Sequence, residues 1–390
     1  MSSERFLSKK VQTIPPSGIR KFFDLANQME GVVSLGVGEP DFDTPWHIRA
    51  EAIYAIESGR THYTGNRGLD KLRKEICNYY HRRFGVDYEW EKNVLVTVGA
   101  SEGIDLVMRS VLDPGDEVII LEPSYVAYVP TVMMSGGTVK YIHLKEEERF
   151  KLTPEALEAA ITDKTKLLFI NYPSNPTGGT MSREDYEKLV PIIKKHDILV
   201  LSDEIYAELS YAGGFASIAA FDEIKDQVIV LNGFSKAYSM TGWRLGYILA
   251  DEALIKHMNI IHQHTIMCAT SISQFAGIEA ISKGDSDCEY HKSSFEARRN
   301  VIVNGLNRLG LKCHMPEGAF YVFPSIKCTG LTSEEFCERL LNEQKVAVVP
   351  GSAFGPSGEG YVRISYAYSI EQIKTALERM EVFMKQFRQE

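Results

Sequence analysis

Asn232-Gly-Phe-Ser-Lys236-Ala-Tyr-Ser-Met-Thr-Gly-Trp-Arg244 follows directly on a strand-like apolar run, Val228 to Leu231. A lysine at the end of a buried strand is held at a sheet edge, where open α/β folds bind ligands. There its amine is desolvated and pushed toward the neutral, nucleophilic form. A neutral amine can form a Schiff base with an aldehyde. Eight residues on, Arg244 offers a fixed cation suited to a phosphate group. A ligand carrying both an aldehyde and a phosphate would use both residues. The plainer reading of the same stretch is a surface lysine in a loop, and the surrounding chain must decide between the two.

Outward from this stretch, strand-like and helix-like segments alternate. Short apolar runs rich in Val, Ile and Leu lie at 93–98, 117–121, 138–143, 167–171, 199–202, 228–231 and 245–250, as expected of buried parallel strands. Between them, Ile104, Val107, Met108, Val111 and Leu112 form one helical stripe. Thr153 before Pro154 reads as a helix start, and so does Ser182 before Glu184 and Asp185. The alternation predicts an α/β fold with a mostly parallel seven-stranded sheet between helices, joined by right-handed crossovers. After about Gly284 the pattern changes. A charged helix over 290–309, an aromatic strand near 318–324, a helix over 333–343, strands at 346–349 and 361–365 and a last helix over 370–387 predict a smaller α+β unit. The expected organisation is an N-terminal segment, 1–44, packing with the small domain; a large domain, 45–284; and a small C-terminal domain, 285–390.

Composition excludes several function classes. The 390 residues carry a net charge of −9, and a phosphate-backbone binder needs a basic face, so no nucleic-acid partner is expected. No apolar run approaches the ~18 residues of a membrane span. The polar start, Met1 to Lys10, gives no reason to expect a signal peptide. Cysteines 77, 268, 288, 313, 328 and 337 are scattered without a CxxC pair, which reads as reduced thiols in a cytoplasmic protein. His262 and His264 do not share a helix face, so no metal site is expected there.

Five more segments put polar side chains at strand ends. Gly99-Ala100-Ser101 opens the Ile104 helix and offers backbone amides to an anion. In Glu122-Pro-Ser-Tyr125 the aromatic can stack on a flat ring. Asn175 stands between Pro173 and Pro176 on a constrained backbone, and the Asn175–Pro176 bond is a candidate cis bond. Asp203 ends a buried strand, where a carboxylate is costly unless it meets a cation such as a protonated ring nitrogen; Tyr206 follows three residues on. Arg363, among apolar residues in Gly360-Tyr-Val-Arg-Ile-Ser, suits a bidentate carboxylate. Each has a plain alternative: a turn, a packing tyrosine, an internal ion pair. Together they converge on one phosphorylated pyridine aldehyde and one carboxylated substrate.

These residues, in this order, resemble the pyridoxal-phosphate-dependent aminotransferases of fold type I, class I/II. The likeness runs from Gly36-Val-Gly38-Glu-Pro-Asp-Phe to Arg363-Ile-Ser. Asn175-Pro-Thr-Gly, Ser202-Asp-Glu-Ile-Tyr206 and Ser235-Lys236 with Arg244 are its most specific parts. The resemblance implies that Lys236 holds pyridoxal 5′-phosphate covalently and later shuttles a proton, and that Asp203 keeps the ring nitrogen protonated. Asn175 and Tyr206 would bond the ring's phenolic oxygen, and Tyr125 would stack on the ring. Ala100, Ser101, Ser235 and Arg244 would grip the phosphate. Arg363, Asn175 and Gly38 would bind the substrate carboxylate. Tyr63 matches a tyrosine lent to the neighbouring subunit's phosphate, which implies a homodimer with shared sites. One departure is visible: a hydroxyl three residues before the lysine in the best-studied branch is Gly233 here. The implied reaction is ping-pong transfer of an amino group from an L-amino acid to a 2-oxo acid such as 2-oxoglutarate. The chain is most similar to the branch with aspartate, aromatic and N-acetyl-diaminopimelate aminotransferases, and Phe22, Tyr125 and Tyr321 would suit aromatic donors. The rival within the same fold is a β-lyase that cleaves C–S bonds and releases pyruvate and ammonia.

Overall fold

The computed structural model describes residues 3–14, 18, 29–211 and 213–387. After β1 (Val33–Ser34) come the strands of the large sheet. They are β2 (Val94–Thr97), β3 (Glu117–Glu122), β4 (Thr138–His143), β5 (Thr165–Asn171), β6 (Leu199–Asp203), β7 (Val228–Gly233) and β8 (Gly246–Leu249). Their order is β2-β8-β7-β6-β5-β3-β4. The pairs β4–β3, β3–β5, β5–β6 and β6–β7 are parallel, and β8 runs antiparallel to both β7 and β2. The exception has a local cause: a parallel return needs a crossover, whereas residues 234–245 hold turns and a short 3₁₀ segment.

Both faces of this sheet are buried. Val228 and Val230 of β7 belong to one apolar cluster, Ile229 and Leu231 to the other; Leu168 and Ile170 of β5 oppose Leu167 and Phe169 in the same way. The period-two alternation of a strand therefore feeds two helical layers from one continuous apolar run. The flanking helices begin where capping chemistry allows. Thr153 accepts a bond from Ala156 N with Pro154 in the first turn, and Ser182 and Asp185 form a reciprocal capping box.

The smaller unit holds β9 (Tyr321–Val322), β10 (Val346–Ala347), β11 (Val349–Pro350) and β12 (Val362–Ser365). The run expected as one strand at 346–349 is divided. β10 pairs in parallel with β1, while β11 and β9 flank β12 antiparallel. The N-terminal segment thus reaches the small sheet, with Leu35 N bonded to Ala347 O and Ser365 N to Leu35 O. The long helix Asp285–Arg308 starts five residues before the expected 290, directly after Gly284. Among the described residues no helix is long and apolar enough to cross a membrane.

Candidate active site

The site forms where β3, β5, β6 and β7 end beside the start of the Gly99–Val111 helix. After β7 the chain turns tightly: Tyr238 N bonds Phe234 O at 3.3 Å and Met240 N bonds Ser235 O at 3.3 Å. The turn presents Lys236, whose Nζ donates to Gly38 O at 2.7 Å. Burial of this amine lowers it from its ordinary value to about 8; Glu39 opposes that fall, and Arg363 and Arg244 add to it.

Asp203, at the end of β6, is 5% exposed. Its carboxylate accepts from the Tyr128 hydroxyl at 2.8 Å and from Ile205 N at 3.1 Å. Burial raises it to about 6 against the pull of those two bonds and of Lys236. At the end of β5, Asn171 bonds Asp203 O at 3.0 Å and Asn175 N at 3.0 Å, tying two strand ends together. The Asn175–Pro176 bond is cis.

Arg363 enters from β12 and is 3% exposed. It donates to Asn175 Oδ1 at 2.9 Å and to Gly36 O at 2.5 Å. Its guanidinium lies between two rings, 4.6 Å from Tyr321 and 4.9 Å from Phe354. Its buried Nε has no partner. Tyr206 meets the Tyr321 hydroxyl at 2.8 Å. Half-buried Tyr125 packs edge-on to Tyr128 at 5.5 Å and feels the charges of Asp203, Arg363 and Arg244.

At the opposite rim, Arg244 is exposed and bonds Thr241 O at 3.0 Å. Its guanidinium lies over Gly99, where a Cβ would come within 2.6 Å of Nη2; Gly99 also has φ +70. Ala100 and Ser101 lie in the first turn of the Gly99–Val111 helix, whose leading N–H groups lack intrahelical acceptors. A cleft of about 570 Å³ opens here, lined among others by Glu39, Phe42, Val98, Thr241, Trp243 and Arg244. Ser235 is buried beside Lys236. Gly233 pairs with Gly246, and a Cβ there would lie 3.0 Å from Leu245 O and 3.1 Å from Gly246 Cα, a tight fit that asks these neighbours to give by a few tenths of an ångström. Tyr63 is 81% exposed and makes none of these contacts; Phe22 lies outside the described residues.

The donor set fits pyridoxal 5′-phosphate. A cation and free helix amides face one cradle for a phosphate, a carboxylate without a contacting cation awaits a ring N–H⁺, and a buried amine awaits an aldehyde. The family model for aminotransferases of class I and II matches residues 30–380. The chain belongs to that family. It is an aminotransferase that depends on pyridoxal 5′-phosphate.

Its relatives agree over full length. The YugH protein of Bacillus subtilis is 52% identical, covering 97% of this aminotransferase and 98% of that chain. The aromatic-amino-acid aminotransferase 2 of Thermococcus litoralis is 41% identical over 97% and 98%. Among solved structures, the Thermus thermophilus aspartate aminotransferase with maleate superposes with a TM-score of 0.92 at 36% identity, covering 96% and 99%.

Two contacts of the aminotransferase site escaped the sequence reading. Tyr128 opens the helix Tyr128–Ser135 three residues after Tyr125, but its bond to Asp203 spans 75 positions. Phe354, the second ring on Arg363, sits in a 3₁₀ turn with no motif around it. His262 meets Glu102 Oε1 at 2.6 Å.

Proposed function

We propose that this aminotransferase moves the amino group of aromatic and acidic L-amino acids to 2-oxoglutarate, using Lys236, Asp203 and Tyr206 as its working groups. The observation that carries the reading is the pairing of Lys236, an amine brought near neutrality, with a fully enclosed carboxylate at Asp203. The chemistry supplied by bound pyridoxal 5′-phosphate is an aldehyde carbon that takes up the amino group and a ring that accepts the electron pair left at Cα.

The chain's own residues do the rest. Arg363 binds the substrate α-carboxylate in a bidentate clamp, displacing its bond to Gly36 O; Asn175 and Gly38 complete that pocket. Lys236, uncharged in a large fraction of molecules near pH 8, leaves Gly38 O and moves the Cα proton. Asp203, steadied by Tyr128, holds a proton on the ring nitrogen; that cation returns its carboxylate to the ionised state. Asn175 Nδ2, free of the bond its Oδ1 makes to Arg363, and the Tyr206 hydroxyl bond the ring's phenolic oxygen. Tyr125 covers the ring face. Ala100, Ser101, Ser235 and Arg244 hold the phosphate.

Aromatic donors fit the Tyr125, Tyr321 and Phe354 surfaces around Arg363, and the relative from Thermococcus litoralis is named for such donors. Acidic donors, aspartate and N-acetyl-diaminopimelate among them, belong to the same proposal. A homodimer with composite sites is supported by the Trp46–Glu57 helix, which buries Ile48, Ala52 and Ala55 yet exposes Trp46, Ile53, Tyr54 and Ile56. Tyr63, just beyond it, would reach the phosphate site of a second copy. Cytoplasmic residence follows the six unpaired cysteines. The division at 44 is supported by Leu35 packing into the small-sheet cluster while Ile48 packs into the large-sheet one; across 284 the two units share clusters, with Phe323, Val349, Phe354 and Tyr361 in the large-sheet cluster and Tyr206 and Leu209 in the small-sheet one.

Borohydride reduction of the loaded protein followed by peptide mapping tests the central assignment: the cofactor mass should sit on Lys236 alone. Lys236→Ala should then abolish transamination with the fold intact. A donor panel against 2-oxoglutarate sets the substrate range, and release of pyruvate and ammonia from a sulfur amino acid would overturn the transfer reaction in favour of the lyase.

A further inference from the structure

Lys236 is held from two sides, and one residue outside the motifs touches both. Its Nζ is fixed by Gly38 O, in the 36–44 segment. Its backbone is fixed by the turn that contains Ala237. His291, on the Asp285–Arg308 helix, is 3% exposed and lies behind these two elements. Its Nδ1 meets Ala237 O at 3.1 Å, and its ring stacks on Phe42 with centroids 4.4 Å apart and planes inclined by 18°. Phe42 is four residues from Gly38 in the same segment. A carbonyl oxygen only accepts, so Nδ1 carries the hydrogen. Cys288, one helical turn earlier, approaches the same carbonyl with its Sγ at 3.6 Å.

Other contacts also join these parts. The 36–44 segment reaches the lysine loop through Thr44 Oγ1 to Ser239 O at 2.6 Å, Trp243 Nε1 to Thr44 Oγ1 at 3.0 Å and Thr241 Oγ1 to Glu39, and the long helix through Arg298 to Asp41 at 2.6 Å and the Phe42–Phe295 edge contact. Those bonds hold Glu39, Asp41 and Thr44, and none of them reaches the Ala237 carbonyl. The imidazole touches both the Ala237 carbonyl, in the turn after Lys236, and the segment that receives its amine. A donor at Ala237 O fixes the Ala237–Tyr238 peptide, one unit beyond the peptide that follows Lys236, and so braces the turn from which the Lys236 side chain leaves the backbone. A displacement of about 1 Å at a proton-transfer group costs up to a hundredfold in rate.

We propose that His291 is a positioning residue for Lys236: its N–H fixes the Ala237 carbonyl while its ring fixes the Gly38 segment, so the amine is aimed at Cα. Burial pushes the imidazole's basicity below the ordinary value, which agrees with a neutral ring. The inference rests on the proposed role of Lys236.

The test separates donor from ring. His291→Phe keeps a flat surface for Phe42 and loses the donor; should the larger ring not be accommodated, His291→Leu takes its place. His291→Asn keeps an N–H near the position of Nδ1 and loses the ring. Rates are referred to cofactor bound, read by visible absorbance, and thermal midpoints are recorded for each protein. The donor-less variant should lose about tenfold in kcat with KM for the amino donor unchanged within twofold, since Arg363 is untouched. Its cofactor band should also broaden or shift, a readout independent of turnover. His291→Asn should recover most of the kcat. Unchanged kcat and band in the donor-less variant would overturn the proposal, and so would an Asn variant no better than the Phe or Leu variant. Peptide mapping of reduced wild-type protein checks the Lys236 assignment separately: a cofactor found elsewhere defeats that assignment whatever His291 does.

Discussion

The inner wall and the outer rim of the cleft are built on opposite terms. On the wall, Asp203 and Arg363 are 5% and 3% exposed and each is held by two hydrogen bonds within one chain. At the rim, Arg244 and Ser101 are exposed and Tyr63 is 81% exposed. The wall buys reactivity with buried charge: the same enclosure raises the carboxyl of Asp203 and lowers the amine of Lys236. The rim keeps its cation solvated and relies on what docks there. Substitutions in the wall should therefore cost turnover, and those at the rim should cost cofactor affinity.

The largest effect is expected at Arg363. Arg363→Leu removes both charge-assisted bonds to the substrate carboxylate, each worth about 2 kcal/mol, so kcat/KM should fall about a thousandfold. Cofactor affinity, measured by equilibrium dialysis, should stay within about threefold. A comparable loss of cofactor binding would erase the division between wall and rim.

Asp203→Asn sharpens the comparison through stability. In the folded, cofactor-free chain the carboxyl keeps its proton up to about pH 6, against 3.8 for the ordinary group. Between those values the folded chain holds more protons than the unfolded one, so this group makes stability fall as pH rises through that window. Above it, the ionised carboxylate costs about 3 kcal/mol. Asp203→Asn should stabilise the cofactor-free chain by up to that amount at pH 7 and by nothing near pH 4, as urea unfolding reads it, while lowering kcat about a hundredfold. Equal stabilisation at both pH values would show that the wall stores no such penalty.

At the rim, Arg244→Leu should raise the cofactor Kd about tenfold, with kcat at saturating cofactor within about threefold. Because Arg244 is exposed, added salt should weaken cofactor binding in the unaltered protein more than in the variant.

Candidate residues were legible on wall and rim alike wherever a strand boundary, the end of a short apolar run, locates them: Asn175 follows β5, Asp203 ends β6 and Lys236 follows β7 on the wall, and Ala100 and Ser101 follow β2 at the rim. All seven strands of the large sheet could be read from such runs. What the runs do not encode is pairing at long range. The antiparallel return of β8, the two-residue strands β1 and β10, and the Tyr128–Asp203 bond each depend on partners far away in the chain. Gly233 marks the same limit: the close approach of Leu245 O and Gly246 Cα to a Cβ at this place comes from a strand pairing that the run does not encode.

Tyr63 is where the comparison is most exposed. Within one chain it makes no contact with Arg244, and the helix before it shows Trp46, Ile53, Tyr54 and Ile56 to solvent although its other face is already packed. A second copy covering that face would bury these side chains and bring a hydroxyl to the phosphate. One neutral donor to an anion held mainly by Arg244 and helix amides contributes about 1 kcal/mol. Tyr63→Phe should accordingly raise the cofactor Kd only about threefold to fivefold, leaving kcat and the sedimentation coefficient unchanged. The same loss should follow when the unaltered protein is diluted until it dissociates. A dimer whose cofactor affinity ignores both Tyr63→Phe and dissociation would mean that the rim, like the wall, is complete within a single chain.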